Sequence, residues 1–135
     1  MAFEYRVGLR NVGSYQISGH PYLTGSTLAT GQEAHISFPY VSREFTVIAS
    51  GSTNGGPVLR VHFNSTSSLG RVADGHHYVT LESDNQAITF HTKCKGVYIT
   101  CPQKGTGDNG YEVIANLTGI AALDMYELTG SGLTD

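Results

Sequence analysis

The side chains in this 135-residue chain best suited to binding a metal are six histidines and two cysteines. His76 and His77 are adjacent, so on an extended strand they would point to opposite faces and could not chelate one ion together. The other histidines are dispersed: His20, His35, His62 and His91. His62 and His91 could share an exposed sheet face, but no Cys, Asp or His occurs at the spacing that a shared metal ion would require. We expect surface or hydrogen-bonded histidines and no metal site.

The two cysteines, Cys94 and Cys101, are separated by residues 97–100, which have the pattern of a strand. An extended chain rises about 3.3 Å per residue, so their Cα atoms would be about 20 Å apart. A disulfide needs about 4.4–6.8 Å. The spacing also differs from the Cys-x-x-Cys of zinc sites and redox motifs. The sequence therefore predicts two reduced, packed thiols.

Residues 105–110 match the dinucleotide fingerprint Gly-x-Gly-x-x-Gly, which requires a helix to begin at its third glycine. Residues 111–117 instead have a β pattern, so we interpret the glycines as a hairpin loop. The chain lacks a nucleophile elbow, a His-Glu-x-x-His motif and a phosphate loop, and Asp74, Glu82, Asp84 and Asp108 fall in predicted turns. We therefore expect no catalytic residue, no cofactor and no enzyme activity.

Composition indicates an all-β protein. Seventeen glycines, eight tyrosines, no tryptophan and 14% charged residues are typical of a chain rich in turns and strands and poor in helices. A net charge of -3 provides no basic stripe for nucleic acid. No apolar run approaches the roughly 18 residues of a membrane span, and residues 1–6 do not resemble a secretion signal. We expect folding in a cytoplasm, without nucleic-acid or membrane partners.

The chain is organised around residues 33–64, in which an apolar run ending at residues 36–38 is followed by two strand-like segments within residues 44–64. Their apolar positions alternate with polar ones and are Phe45, Val47, Ala49, Leu59, Val61 and Phe63. Arg60 and His62 would then lie on the solvent face of the second segment. Residues 52–57 between them are turn formers, and Pro57 cannot donate to a ladder. We therefore predict a β-hairpin across residues 44–64.

Further strands are predicted at residues 3–10, 77–81, 87–91, 96–100 and 111–117. A turn is predicted at 82–85, and a turn at 93–96 would pair the strands on either side of it. Residues 120–123 could form one helical turn, and 125–128 look extended. About eight to ten short strands predict one domain, 1–135, folded as an antiparallel β-sandwich of jelly-roll type.

Residues 11–32 interrupt the alternation because glycines recur among serines and threonines, so any strands there should be short. Two interpretations stay open: a loop-rich lid on the sandwich, or an extended arm that docks on a neighbouring subunit. In the second, the interface residues would be Tyr15, Ile17, Tyr22 and Leu23.

A family resemblance is carried by several short sequence segments, which are distributed over nearly the whole chain. They lie at residues 7–19 (VGLRNVGSYQISG), 38–42 (FPYVS), 47–51 (VIASG), 59–68 (LRVHFNSTSS), 75–79 (GHHYV) and 125–134 (MYELTGSGLT). The chain thereby resembles small virion structural proteins of tailed phages, particularly those of marine and cyanobacterial hosts. The resemblance implies a non-enzymatic decoration (cement) protein on the capsid surface, with the major capsid protein as partner.

The resemblance does not separate a head protein from a tail or fibre protein. Short strands with few charged residues at the sheet edges also favour a homo-oligomer, most simply a trimer. Two other classes remain: a receptor-binding β-sandwich that recognises a glycan, which predicts a cleft with exposed tyrosines, and a small β-fold hydrolase, for which no catalytic cluster can be assembled.

Overall fold

The computed structural model describes residues 21–29, 31–52, 59–66, 76–81, 86–101 and 109–134, and the structural statements below concern these residues. The elements are β1 (Pro21–Leu28), β2 (Glu33–Ser37), β3 (Tyr40–Ser52), β4 (Leu59–His62), β5 (Val79–Leu81), β6 (Ala87–Phe90), β7 (Gly96–Thr100), β8 (Asn109–Ala121) and a 3-10 helix at Ala122–Asp124. Within these ranges, no helix has the length and apolar character needed to cross a membrane.

The strands form two four-stranded antiparallel sheets. Sheet A has the order β1-β8-β3-β6, and sheet B has the order β2-β7-β4-β5. The first and last of the eight strands are neighbours in sheet A, and the second and seventh are neighbours in sheet B. This interleaved order is that of an eight-stranded jelly roll, and it confirms the predicted all-β sandwich.

Alternating apolar residues from both sheets fill the space between them. Phe45, Val47 and Ala49 of β3 are buried, as are Leu59 and Val61 of β4, so the predicted apolar faces are confirmed. Phe45 lies at the centre of an aromatic cluster. Its ring centroid lies 5.0 Å from that of Phe90, 5.8 Å from that of Phe38 and 6.1 Å from that of Phe63.

The predicted hairpin across residues 44–64 is wrong. β3 belongs to sheet A and β4 to sheet B, so the two strands do not pair. Their apolar faces instead meet across the core, as indicated by the edge-to-face contact between Phe45 and Phe63, the residue that follows β4. A strand has the same two-residue alternation whether its successor lies beside it or opposite it, which is why the pattern did not distinguish the two arrangements.

The predicted pairing through a turn at 93–96 is wrong for the same reason, since β6 lies in sheet A and β7 in sheet B. Strands do occur at the predicted places from β5 to β8. The helical turn is a 3-10 helix at Ala122–Asp124, later than the predicted 120–123, because β8 continues to Ala121. The predicted strand at residues 3–10 lies outside the described ranges. Cys94 and Cys101 flank β7 as two buried thiols without a disulfide, which confirms that prediction.

β1 differs from the short strands expected within residues 11–32. It is eight residues long and pairs with β8 along its whole length, from Pro21 opposite Asn116 to Leu28 opposite Asn109. Residues 21–28 therefore form an edge strand of sheet A rather than a loop. Residues 11–20 and 30 lie outside the described part of the chain.

Candidate functional site

The outer face of sheet A presents an uncharged row that crosses all four strands. Leu23 is opposite Ile114, Ile114 is also opposite Thr46, and Thr46 is opposite Thr89. Leu23 is 68% exposed and Ile114 is 41% exposed, so two large apolar side chains lie side by side in solvent. The hydroxyls of Thr46 and Thr89 are 2.7 Å apart and hydrogen-bonded. We call these four residues the outer row.

Acidic side chains flank the outer row. Glu112 of β8 is exposed two positions before Ile114. On the other side, Glu44 accepts a hydrogen bond from Asn116 Nδ2 at 2.7 Å and lies 3.0 Å from the imidazole Nδ1 of His91. The charged groups thus border the row without entering it.

The four residues singled out as an interface from the sequence are not all brought together. Leu23 joins the outer row, whereas Tyr22 points to the opposite face of β1. There Tyr22 packs edge-to-face on Phe38 with 5.6 Å between ring centroids. Tyr15 and Ile17 lie outside the described residues. Ile114, which sequence reasoning missed, contributes the second apolar side chain because β8 pairs with β1.

The outer face of sheet B carries a stack of three rings on three adjacent strands. His35 of β2 is opposite Tyr98 of β7, which is opposite His62 of β4. The His35 and Tyr98 rings are 4.2 Å apart and nearly parallel, at 4°. The Tyr98 and His62 rings are 6.0 Å apart at 10°. His35 is exposed, but His62 is only 1% exposed, so its predicted place on a wet face is wrong.

Hydrogen bonds fix the tautomer of His62. Its Nδ1 lies 2.6 Å from the carbonyl oxygen of Asn64, which can only accept, so Nδ1 carries the proton. Its Nε2 then accepts from the Thr100 hydroxyl at 2.5 Å. Burial lowers the pKa of His62 below its usual 6.5, which favours this neutral form.

Stability should therefore depend on pH through His62. The unfolded chain takes up a proton near pH 6.5, whereas the folded chain resists doing so until a lower pH. This stabilisation is complete above pH 6.5 and is lost as pH falls toward and through the lowered pKa. We expect the urea midpoint to decrease over this window more steeply in the natural protein than in His62→Gln.

The control for this titration is His91→Gln, which removes an exposed histidine paired with Glu44. It should retain the pH dependence attributed to His62. Equal slopes for the natural protein and His62→Gln in urea titrations between pH 7.5 and 5 would contradict the assignment.

A cleft of about 330 Å³ lies between the outer face of sheet B and the segment that follows β8. Its lining combines aromatic, apolar and polar side chains: His35, Ser37, Phe38, Phe63, Cys94, Lys95, Gly96, Tyr98, Ala122, Leu123, Tyr126, Glu127 and Leu128. Tyr126 is 56% exposed. The cleft was not located from the sequence because its walls come from segments far apart in the chain.

Three polar contacts hold the outer wall of the cleft in place. Lys95 Nζ lies 2.8 Å from Glu127 Oε1 and donates to the carbonyl oxygen of Met125 at 3.3 Å. Asn64 Nδ2 donates to the carbonyl oxygen of Leu128 at 2.6 Å. The segment following β8 is therefore held by the residue that precedes β7 and by the segment that follows β4.

The remaining sequence candidates do not form a further site in the described structure. His76 is exposed, His77 is half-buried and His20 lies outside the described residues. Within the described ranges, no three His, Cys, Asp or Glu side chains are grouped so that they could hold a metal ion. Gly110, the third glycine of the fingerprint, lies inside β8, so a strand follows it as predicted. The interpretation of these glycines as a hairpin loop is wrong, because β7 lies in sheet B and β8 in sheet A.

In comparisons with known proteins, no family model and no curated protein matches this chain. Function is therefore inferred from the outer row, the cleft and the sequence resemblance.

Proposed function

We propose that this protein is a non-enzymatic virion structural protein that binds the outside of a phage head as a decoration protein and stabilises the shell. The observation that supports docking most directly is the outer row, in which Leu23 and Ile114 are exposed side by side on a paired sheet. The sequence resemblance supports the identity of the partner, the major capsid protein.

The outer row is suited to a flat protein partner. β8 and β3 are hydrogen-bonded on both sides, so the backbone beneath the row is already ordered before binding. Docking would bury apolar and hydroxyl groups without desolvating an unpaired charge, whose burial is expensive. The complementary patch on the shell should accordingly be uncharged and apolar.

One such contact is weak. Apolar burial contributes about 25 cal/mol per Å², and association costs consume much of that when only a few hundred Å² are buried. Repetition over a symmetric shell raises the effective affinity without new contacts. A homo-oligomer would add to this effect. We propose a trimer, because the edge strand β1 (PYLTGSTL) is uncharged and could pair with a neighbouring subunit. Light scattering of the purified protein measures the number of subunits in the oligomer.

The deciding experiment adds purified protein back to virions that lack it. We expect Ile114→Asp to weaken binding by about a hundredfold, since burying an unpaired charge costs about 3 kcal/mol or more. Leu123→Asp is the matched control, because Leu123 is 97% exposed and lies outside the outer row. Binding is measured by co-sedimentation, and shell stability by the temperature at which DNA is released.

Electron cryomicroscopy of the decorated particles tests the location. Density over the shell with sheet A facing inward supports the proposal. Any of three results would reject head docking through the outer row. These are density confined to the tail, an unchanged temperature of DNA release, and equal binding of Ile114→Asp and Leu123→Asp.

A further inference from the structure

We propose that the cleft on sheet B is a binding site for a neutral sugar ring. This inference goes beyond shell docking and does not depend on it, because the outer row belongs to sheet A and the cleft borders sheet B. The two sheets present opposite faces of the sandwich. A copy docked through sheet A would therefore hold the cleft away from the shell.

The rings that line the cleft are suited to the apolar side of a sugar. Tyr126 lines the cleft and is more than half exposed, so its ring is available for stacking. Tyr98 and His35 also line the cleft, but Tyr98 is already stacked between His35 and His62. One face of a pyranose carries several C–H groups, which pack against aromatic rings. Aromatic side chains provide large contact areas with little conformational freedom to lose.

The lysine and the glutamate that line the cleft, Lys95 and Glu127, favour a neutral ligand. Lys95 and Glu127 are 2.8 Å apart, so each is largely neutralised by the other. An anionic ligand would compete with Glu127 for the lysine, and a cationic ligand would compete with Lys95 for the carboxylate. A sugar hydroxyl both donates and accepts, so it can bind Glu127 and Ser37 without breaking this ion pair.

The cleft is ordered before any ligand binds. His35 is stacked on Tyr98, and the outer wall is held by the hydrogen bonds from Asn64 to Leu128 and from Lys95 to Met125. A pre-formed wall avoids the cost of ordering a loop on binding. A volume of about 330 Å³ is at the lower end of the range for small-molecule sites, which is about 300–1,000 Å³. We accordingly expect one or two sugar rings to fit.

Saturation-transfer NMR on the purified protein tests the proposal without particles. The probes are the neutral methyl glycosides of glucose, galactose, mannose and N-acetylglucosamine, together with methyl sialoside as an anionic comparison. We expect at least one neutral glycoside to receive saturation on its C–H protons. Tyr126→Ala should weaken its binding by about tenfold or more.

The matched control is Tyr40→Ala, because Tyr40 is 45% exposed and does not line the cleft. It should bind the glycoside like the natural protein. A second variant, Glu127→Gln, keeps the size of the side chain but removes the charged acceptor, and it should also bind more weakly. Amide correlation spectra establish that each variant is folded.

Three results would overturn the proposal: no transfer to any neutral glycoside at millimolar concentration, transfer to the sialoside alone, or equal binding by the natural protein, Tyr126→Ala and Glu127→Gln. None of these outcomes bears on shell docking, which is measured with Ile114→Asp.

Discussion

We expect Phe45→Ala to lower the free energy of unfolding by about 3–5 kcal/mol, because the change removes a buried ring and leaves a cavity in the core. Phe45 is 1% exposed, and its ring contacts those of Phe38, Phe63 and Phe90. Phe90 lies in sheet A, whereas Phe38 and Phe63 directly follow β2 and β4 of sheet B. These neighbours therefore cannot collapse into the cavity without changing the spacing between sheets. Urea denaturation followed by far-UV circular dichroism measures the loss.

Phe90→Ala is the control for this change. Phe90 belongs to the same cluster but is only half-buried on the edge strand β6, so its removal should cost less than about 2 kcal/mol. Comparable losses for the two variants would show that Phe45 is not the centre of the core.

We expect Gly96→Ala to destabilise the fold by about 1–3 kcal/mol. A Cβ at this position would lie 2.7 Å from the backbone oxygen of Ile36 and 3.3 Å from His35 Nε2. The first of these atoms belongs to the main chain of β2 and cannot rotate away. β2 and β7 would have to separate at the point where Ser37 is opposite Gly96, which is also a wall of the cleft.

Gly119→Ala is the matched substitution, since Gly119 is also within a strand but has no atom within 4 Å of the added Cβ. It should leave the urea midpoint unchanged or raise it, because alanine restricts the unfolded chain. A loss in Gly119→Ala as large as that in Gly96→Ala would indicate a general preference for glycine rather than close packing of β2 on β7.

The sequence allowed the faces of the strands to be predicted, but not the neighbours of each strand. Phe45, Val47 and Ala49 are buried as expected because burial follows the two-residue period of the chain itself. Pairing depends on contacts between distant segments. β3 is flanked by β8 and β6, and neither adjoins it in sequence.

The same limit explains what was missed at the candidate sites. Leu23 could be recognised as an apolar residue in a polar stretch, but its partner Ile114 is brought beside it only by the pairing of β1 with β8. The two-residue alternation of β4 predicts that His62 faces solvent, yet its ring contacts Tyr98, Thr100 and Asn64. The cleft requires the segment after β8 to return across sheet B, and no local pattern indicates that return.

The position of β8 between β1 and β3 also determines when the protein can fold. β8 is the last of the described strands in the chain, yet it pairs with both β1 and β3. During synthesis, β1 has no partner in sheet A among the described strands until β8 has left the ribosome. Contacts between such distant segments are typical of folding in milliseconds to seconds rather than microseconds. Until β8 has been synthesised, the uncharged edge strand β1 therefore remains unpaired and prone to aggregation.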